Sequence, residues 1–141
     1  MSSPVAIPEA VSLAIHALSK LAASRDEHLV LSDLLIKPGS ANHLSKVLQK
    51  LTRAGMVSSK RGKGGGFILA VHPAEIRLMD VWIVLEGTFV SGICPFTGQG
   101  CELGSCLFGT VVEDASYLIR RYFTDHTVAD LGRLFEGEHN E

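Results

Sequence analysis

A mostly α-helical chain carrying one small β-hairpin is predicted by three observations. Apolar residues recur at three- and four-residue steps along most of the sequence, two short apolar stretches flank a glycine-rich basic turn, and the basic charge is gathered in one block. At 141 residues the chain is sized for one domain, or one small domain with an appended oligomerisation element. That length can bury a core without help from disulfides.

The first helix is predicted from Pro8 to Ala23, where Val11, Ala14, Ile15, Leu18, Leu21 and Ala22 share one face and Ser24-Arg25-Asp26-Glu27 ends the pattern. A short helix follows from about Ser32 to Ile36, broken by Lys37-Pro38-Gly39. Ser40 is a suitable N-cap for a helix reaching Ala54, with Gly55 at its C-terminal end. Leu44, Val47, Leu48 and Leu51 form its inward stripe; Asn42, His43, Ser45, Lys46, Gln49, Lys50 and Arg53 form a polar and basic outer side. Met56–Ser59 and Phe67–Ala70 read as strands around Lys60-Arg61-Gly62-Lys63-Gly64-Gly65-Gly66, whose glycines permit positive φ. A helix over Leu78–Glu86 packs Leu78, Val81, Trp82 and Leu85, and another is predicted from Ser105 to Phe123. A last short helix starts at Thr127, where Thr127-Val128-Ala129-Asp130 fits a capping box, and an acidic, frayed tail follows from Glu136.

Net charge is only −2, but it is unevenly placed. Between Asp33 and Glu75 there is no acid, while Lys37, Lys46, Lys50, Arg53, Lys60, Arg61 and Lys63 contribute +7. The remainder holds six basic residues against fifteen acidic ones, or −9. One segment is therefore suited to a polyanion and the rest is not. The N-terminus lacks a basic n-region and an apolar h-region, and no apolar run approaches the ~20 residues of a membrane span. A cytoplasmic protein with no membrane association is expected.

Two helices joined by a tight turn and followed by a basic hairpin make a winged helix-turn-helix. Its second helix fits a major groove about 12 Å wide, phosphate contacts supply most of the affinity, and Arg61 on its glycine turn suits a minor groove. A solvated basic face is the plainer explanation of such a block. A nucleotide-binding loop is disfavoured, because the glycine run has neither Walker spacing nor GxGxxG.

Cys94, Cys101 and Cys106, the only cysteines, lie in one window with C-x6-C-x4-C spacing, rich in glycine and proline. Cysteines placed for packing would be scattered; clustered thiolates bind metal, form disulfides or sense redox state. An odd number in a reducing compartment argues for metal or redox sensing. Thiolate is the ligand iron–sulfur clusters take. Gly98, Gly100 and Gly104 would let the chain curl round such a group, and Pro95 would set its direction. Cys106 is expected at a helix start, where the dipole favours thiolate.

Leu44-Ser45-Lys46-Val47-Leu48, Ala54-Gly55-Met56-Val57 and Arg61-Gly62-Lys63-Gly64-Gly65-Gly66-Phe67-Ile68-Leu69-Ala70 appear in order. They are followed by Ile76-Arg77-Leu78-Met79-Asp80-Val81, Leu85-Glu86-Gly87, the cysteine loop and Thr127-Val128-Ala129-Asp130-Leu131. This ordered set, covering nearly the whole chain, resembles the Rrf family of winged-helix iron–sulfur transcription regulators. The resemblance implies a homodimer built on a long C-terminal helix (Ser105–Phe123) and reading a palindromic operator in double-stranded DNA. It makes residues 1–73 the DNA-binding domain and 74–141 the cluster-binding and dimerisation part. Ser40, Asn42, His43, Ser45 and Lys46 become the groove-facing set and Arg61 the wing residue, with Lys50, Arg53, Lys60 and Lys63 beside them. His43 stands where many members have Tyr, and Ser45 where some have an acid, so the operator sequence does not transfer.

The resemblance also makes Cys94, Cys101 and Cys106 ligands of an iron–sulfur cluster, 2Fe–2S or 4Fe–4S, sensing iron, redox state or nitric oxide. A fourth ligand must come from elsewhere. Some relatives have His three residues after the last cysteine, here Gly109. Others borrow a carboxylate from the partner's first helix, a position resembling Ser12, with Glu9 one turn earlier and His16 one turn later. Glu9 of the partner subunit is the candidate, Glu102 its competitor, and favourable placement at a helix N-terminus is the ordinary explanation of Glu9. Structural zinc, thiol–disulfide switching and a cluster-free regulator binding a small ligand remain alternatives. A redox enzyme or electron carrier is a further rival, but a carrier would have four cysteines and no basic block. His16, His28, His72, His126 and His139 are dispersed and form no catalytic set with Ser or Asp. No enzyme is predicted.

Overall fold

Among the residues that the computed structural model describes (2–91, 94, 96, 101–103 and 105–138, with backbone alone at 137 and 138), there are six α-helices and one antiparallel hairpin. They are α1 (Glu9–Ala23), α2 (Leu31–Leu34), α3 (Ala41–Arg53), β1 (Val57–Lys60), β2 (Gly66–Leu69), α4 (Leu78–Glu86), α5 (Val111–Asp125) and α6 (Val128–Glu138). Pro95, Gly98, Gly100, Gly104 and His139 lie outside the described residues.

The predicted stripes are the observed core. Val11, Leu18 and Leu21 of α1, Leu44, Leu48 and Leu51 of α3, and Leu78 and Val81 of α4 are all buried. Phe123 and Val128 close the same core, so residues on both sides of position 73 share it. Ser40 caps α3, its Oγ accepting the His43 N–H at 3.3 Å. The hairpin pairs Val57 with Leu69 and Lys60 with Gly66. It is longer sideways than the sequence indicates: Leu29 adds a bridge to Phe67, donating its N–H at 2.9 Å and accepting at 2.8 Å. The wing is thereby tied to the α1–α2 connection.

Three predicted helix bounds are corrected, the first being α2, which runs Leu31–Leu34 and not Ser32 to Ile36, since Leu35 is already extended. α5 begins at Val111, not Ser105. Gly109 takes φ +56°, outside helical geometry, and leaves Leu107 and Phe108 in a turn with relative exposures of 81% and 56%. The last helix, predicted as short, runs 11 residues and lies against α1, where a Cβ on Gly132 would stand 2.9 Å from the Ala22 Cβ. A side chain at 132 would hold these two helices apart.

The capping box at α6 is present: Thr127 N–H donates to Asp130 Oδ2 at 2.9 Å, and Asp130 N–H donates to Thr127 Oγ1 at 3.4 Å. The Thr127 N–H holds the Asp130 carboxyl below the usual carboxylate range, against partial desolvation, and Arg133 adds to the effect. A carboxyl whose pKa falls on folding stabilises fully above its unfolded value and loses that contribution as pH drops through its folded value. Asp130→Asn should therefore lower the urea midpoint near neutrality, and the difference from wild type should shrink and vanish as acidification carries the pH below the carboxyl's lowered folded value. A gap that persists in acid would locate the effect elsewhere.

Candidate nucleic-acid interface and cysteine loop

Helix α3 turns two unlike faces outward and inward because its apolar residues repeat every three or four positions. With Leu44, Val47, Leu48 and Leu51 buried, Asn42, Lys46, Gln49, Lys50 and Arg53 are left exposed. A groove of about 460 Å³ separates this face from the wing and is lined by Ser45, Gln49, Arg53, Ser59, Lys60 and Arg61 among others. No acidic side chain lines it. Gly62, Gly64 and Gly66 all take positive φ, as the basic turn requires.

The structure thus brings Ser45, Arg53, Lys60 and Arg61 into one groove. Asn42, Lys46 and Lys50 are exposed along α3, and Lys63 is exposed at the wing tip. Ser40 has its hydroxyl engaged in the cap. His43 is half-buried, and its Nδ1 lies 3.4 Å from Oε1 of Glu9 on α1 of the same chain. Ser59 and Thr52 join the groove without a place in the predicted set. For Ser59 the signal is present, since it shares the strand face of buried Val57 two residues earlier. The Glu9–His43 pair, spanning more than thirty positions, has no local signal.

The loop between α4 and α5 is anchored at its start. Phe89 packs on Trp82 with ring centroids 5.0 Å apart, and Trp82 meets Phe123 edge-on at 5.7 Å. The Arg120 guanidinium lies 5.1 Å from the Phe89 ring centroid, and its Nη2 donates to the Phe89 carbonyl at 3.4 Å. Helices α4 and α5 therefore both grip the residue from which the loop departs. Beyond it, Cys94 is half-buried and Cys101 and Cys106 are exposed, all as free thiols. Cys106 stands five residues before α5, not at the helix start where the sequence pattern puts it. Glu102 is exposed. Among the described residues, no three His, Cys, Asp or Glu side chains converge as a metal site. The donor chemistry suits a cluster or zinc; convergence of the thiols would accompany binding.

Helix-turn-helix, basic wing and groove together define a winged-helix protein of the transcription-regulator class. Residues 7–133 match the Rrf2 family model, described as iron-dependent transcriptional regulator, and the chain belongs to that family. It is 35% identical over 86 residues to BadM of Rhodopseudomonas palustris, a match covering 60% of this chain and 55% of that protein. The HTH-type transcriptional regulator IscR of Yersinia pseudotuberculosis is 29% identical over 110 residues, covering 77% and 66%. The chain thus spans little more than half of BadM, and about two thirds of IscR. In fold it is similar to CymR, the global cysteine regulator of B. subtilis (TM-score 0.70, 20% identity, 92% and 98% covered). It is equally similar to IscR of T. potens (TM-score 0.69, 24% identity, 98% and 93% covered). The named relatives are regulators, not enzymes. Among the described residues, no helix is long and apolar enough to cross a membrane.

Proposed function

We propose that this chain is a DNA-binding regulator that holds an iron–sulfur cluster on Cys94, Cys101 and Cys106 and reads a palindromic operator as a homodimer. The observation that carries the cofactor reading is the position of three free thiols in a loop gripped by both α4 and α5, in a family described as iron-dependent. When bound, the cluster supplies chemistry sensitive to iron supply, oxidants and nitric oxide. Here the thiolates would bind it, and a fourth ligand, with Glu9 of the partner subunit as candidate, would complete it.

The homodimer reading is supported by α5 and the turn before it. Along α5, Val111, Leu118 and Tyr122 follow one another at seven- and four-residue steps with exposures of 59%, 68% and 48%, and Leu107 in the preceding turn is 81% exposed. A stripe of this kind marks an association surface. In such a dimer the loop joins the helix behind the wing to the interface helix, so ordering it can alter the spacing of two recognition helices, to which half-site binding is sensitive. A tenfold change in occupancy needs only about 1.4 kcal/mol of coupling. Residues 1–73 would then read DNA and 74–141 sense and dimerise, in the cytoplasm.

The test is anaerobic reconstitution of the full chain, a visible spectrum, and binding to duplexes selected from a random library, with and without the cluster. A coloured protein whose affinity depends on the cluster is expected. With about half of each basic block on phosphate, a dimer neutralises roughly 6–8 charges, giving a log–log salt slope near −5 to −7. A colourless protein with stoichiometric zinc sinks the cluster reading, and a slope near zero sinks the DNA reading. Colourless, metal-free protein whose binding follows thiol oxidation would select the redox alternative.

A further inference from the structure

We propose that Glu9 is a positioning residue for DNA readout, setting the His43 ring of its own chain so that a chosen nitrogen meets a base. The inference rests on the DNA-binding reading above. Glu9 opens α1, while His43 lies in the first turn of α3. Their side chains are 60% and 37% exposed, with Oε1 and Nδ1 at 3.4 Å, an ion-pair distance longer than an ordinary hydrogen bond.

A carboxylate is an odd neighbour for this region. No acid occurs between Asp33 and Glu75, and a lone negative charge beside a recognition helix repels phosphate. Glu9 is carried in from a different element and meets an imidazole. Which imidazole nitrogen holds the proton follows from what the other nitrogen faces. A carboxylate at Nδ1 favours the tautomer protonated there, which leaves Nε2 as an acceptor. In the major groove an acceptor meets the exocyclic amino groups, cytosine N4 or adenine N6. The structural cap at Ser40 fixes the His43 backbone, and Glu9 acts on its ring. The base facing His43 would thus be cytosine or adenine, and guanine or thymine, which present O6 or O4 acceptors there, would be disfavoured.

The experiment is selection of preferred duplexes from a random library by full-length wild type, Glu9→Gln, His43→Ala and the double variant, with a visible spectrum recorded beside each. His43→Ala should relax preference at one base pair per half-site by about 5- to 100-fold. Glu9→Gln should relax that same position by about 2- to 5-fold, the scale of an exposed ion pair. The double variant should match His43→Ala, because a positioning residue has nothing left to position. An unchanged profile in Glu9→Gln overturns the proposal, as do effects at different base pairs or additive effects. A profile that shifts only together with the spectrum also overturns it, since that signature belongs to a cluster ligand. Wild type that selects no duplex overturns the DNA reading itself, and this inference with it.

Discussion

Alanine in place of Gly66 is expected to cost roughly 2–4 kcal/mol of folding stability and to displace the wing. Gly66 has φ +135°, a region nearly closed to residues with a Cβ. A Cβ built there would stand 2.6 Å from the Leu29 carbonyl oxygen and 2.8 Å from its carbon, both backbone atoms that cannot rotate away. Relief requires opening the paired bonds between Leu29 and Phe67, at 2.9 and 2.8 Å, which tie the hairpin to the body. Gly64→Ala is the control. Its φ of +75° carries the same kind of strain, but nothing lies within 4 Å of the added methyl, so about 1–2 kcal/mol is expected. Urea midpoints of both variants check this, with duplex affinity measured where each remains folded. Gly66→Ala should lose affinity at the positions sensitive to Arg61. Equal costs at 64 and 66 would mean that the Leu29 bridge contributes nothing.

The features legible in the sequence are those set by local rules. Apolar period, the Ser40 cap, the Thr127–Asp130 box and the glycine turn each depend on residues within a few positions. They locate α1, α3, α4 and the hairpin to within about a turn. The Ser105 start of α5 is misplaced because Leu107 and Phe108 continue the apolar period although both are exposed. Period cannot distinguish an apolar residue facing a core from one left facing out, and only the backbone at Gly109 decides it. The Leu29–Phe67 bridge, the α1–α6 seam at Gly132, the Phe89–Arg120 clasp and the Glu9–His43 pair all join distant residues. No periodicity encodes them. For the site, the basic residues stand out because charge shows in composition, and Ser59 is placed by strand alternation from Val57, while Thr52 does not stand out, because hydroxyl residues are common on any surface.

Helix α3 offers a way to separate the two jobs its faces perform. Leu48 is fully buried, so Leu48→Ala should cost about 2–5 kcal/mol, a large share of the 5–15 kcal/mol typical of such a domain. A fall of the thermal midpoint by roughly 10 °C is the expected reading. Corrected for the folded fraction, its salt slope should stay that of wild type, since every cation of the basic block is still in place. Lys46 stands two residues earlier and exposed, and Lys46→Ala should leave stability within about 0.5 kcal/mol. Its slope should instead shrink by about 1 for each phosphate that the missing ammonium would have neutralised. The two variants therefore move different axes of the same pair of measurements. If Lys46→Ala lowered the midpoint and left the slope alone, the outward face of α3 would be a structural surface, and the basic block would need another ligand than DNA.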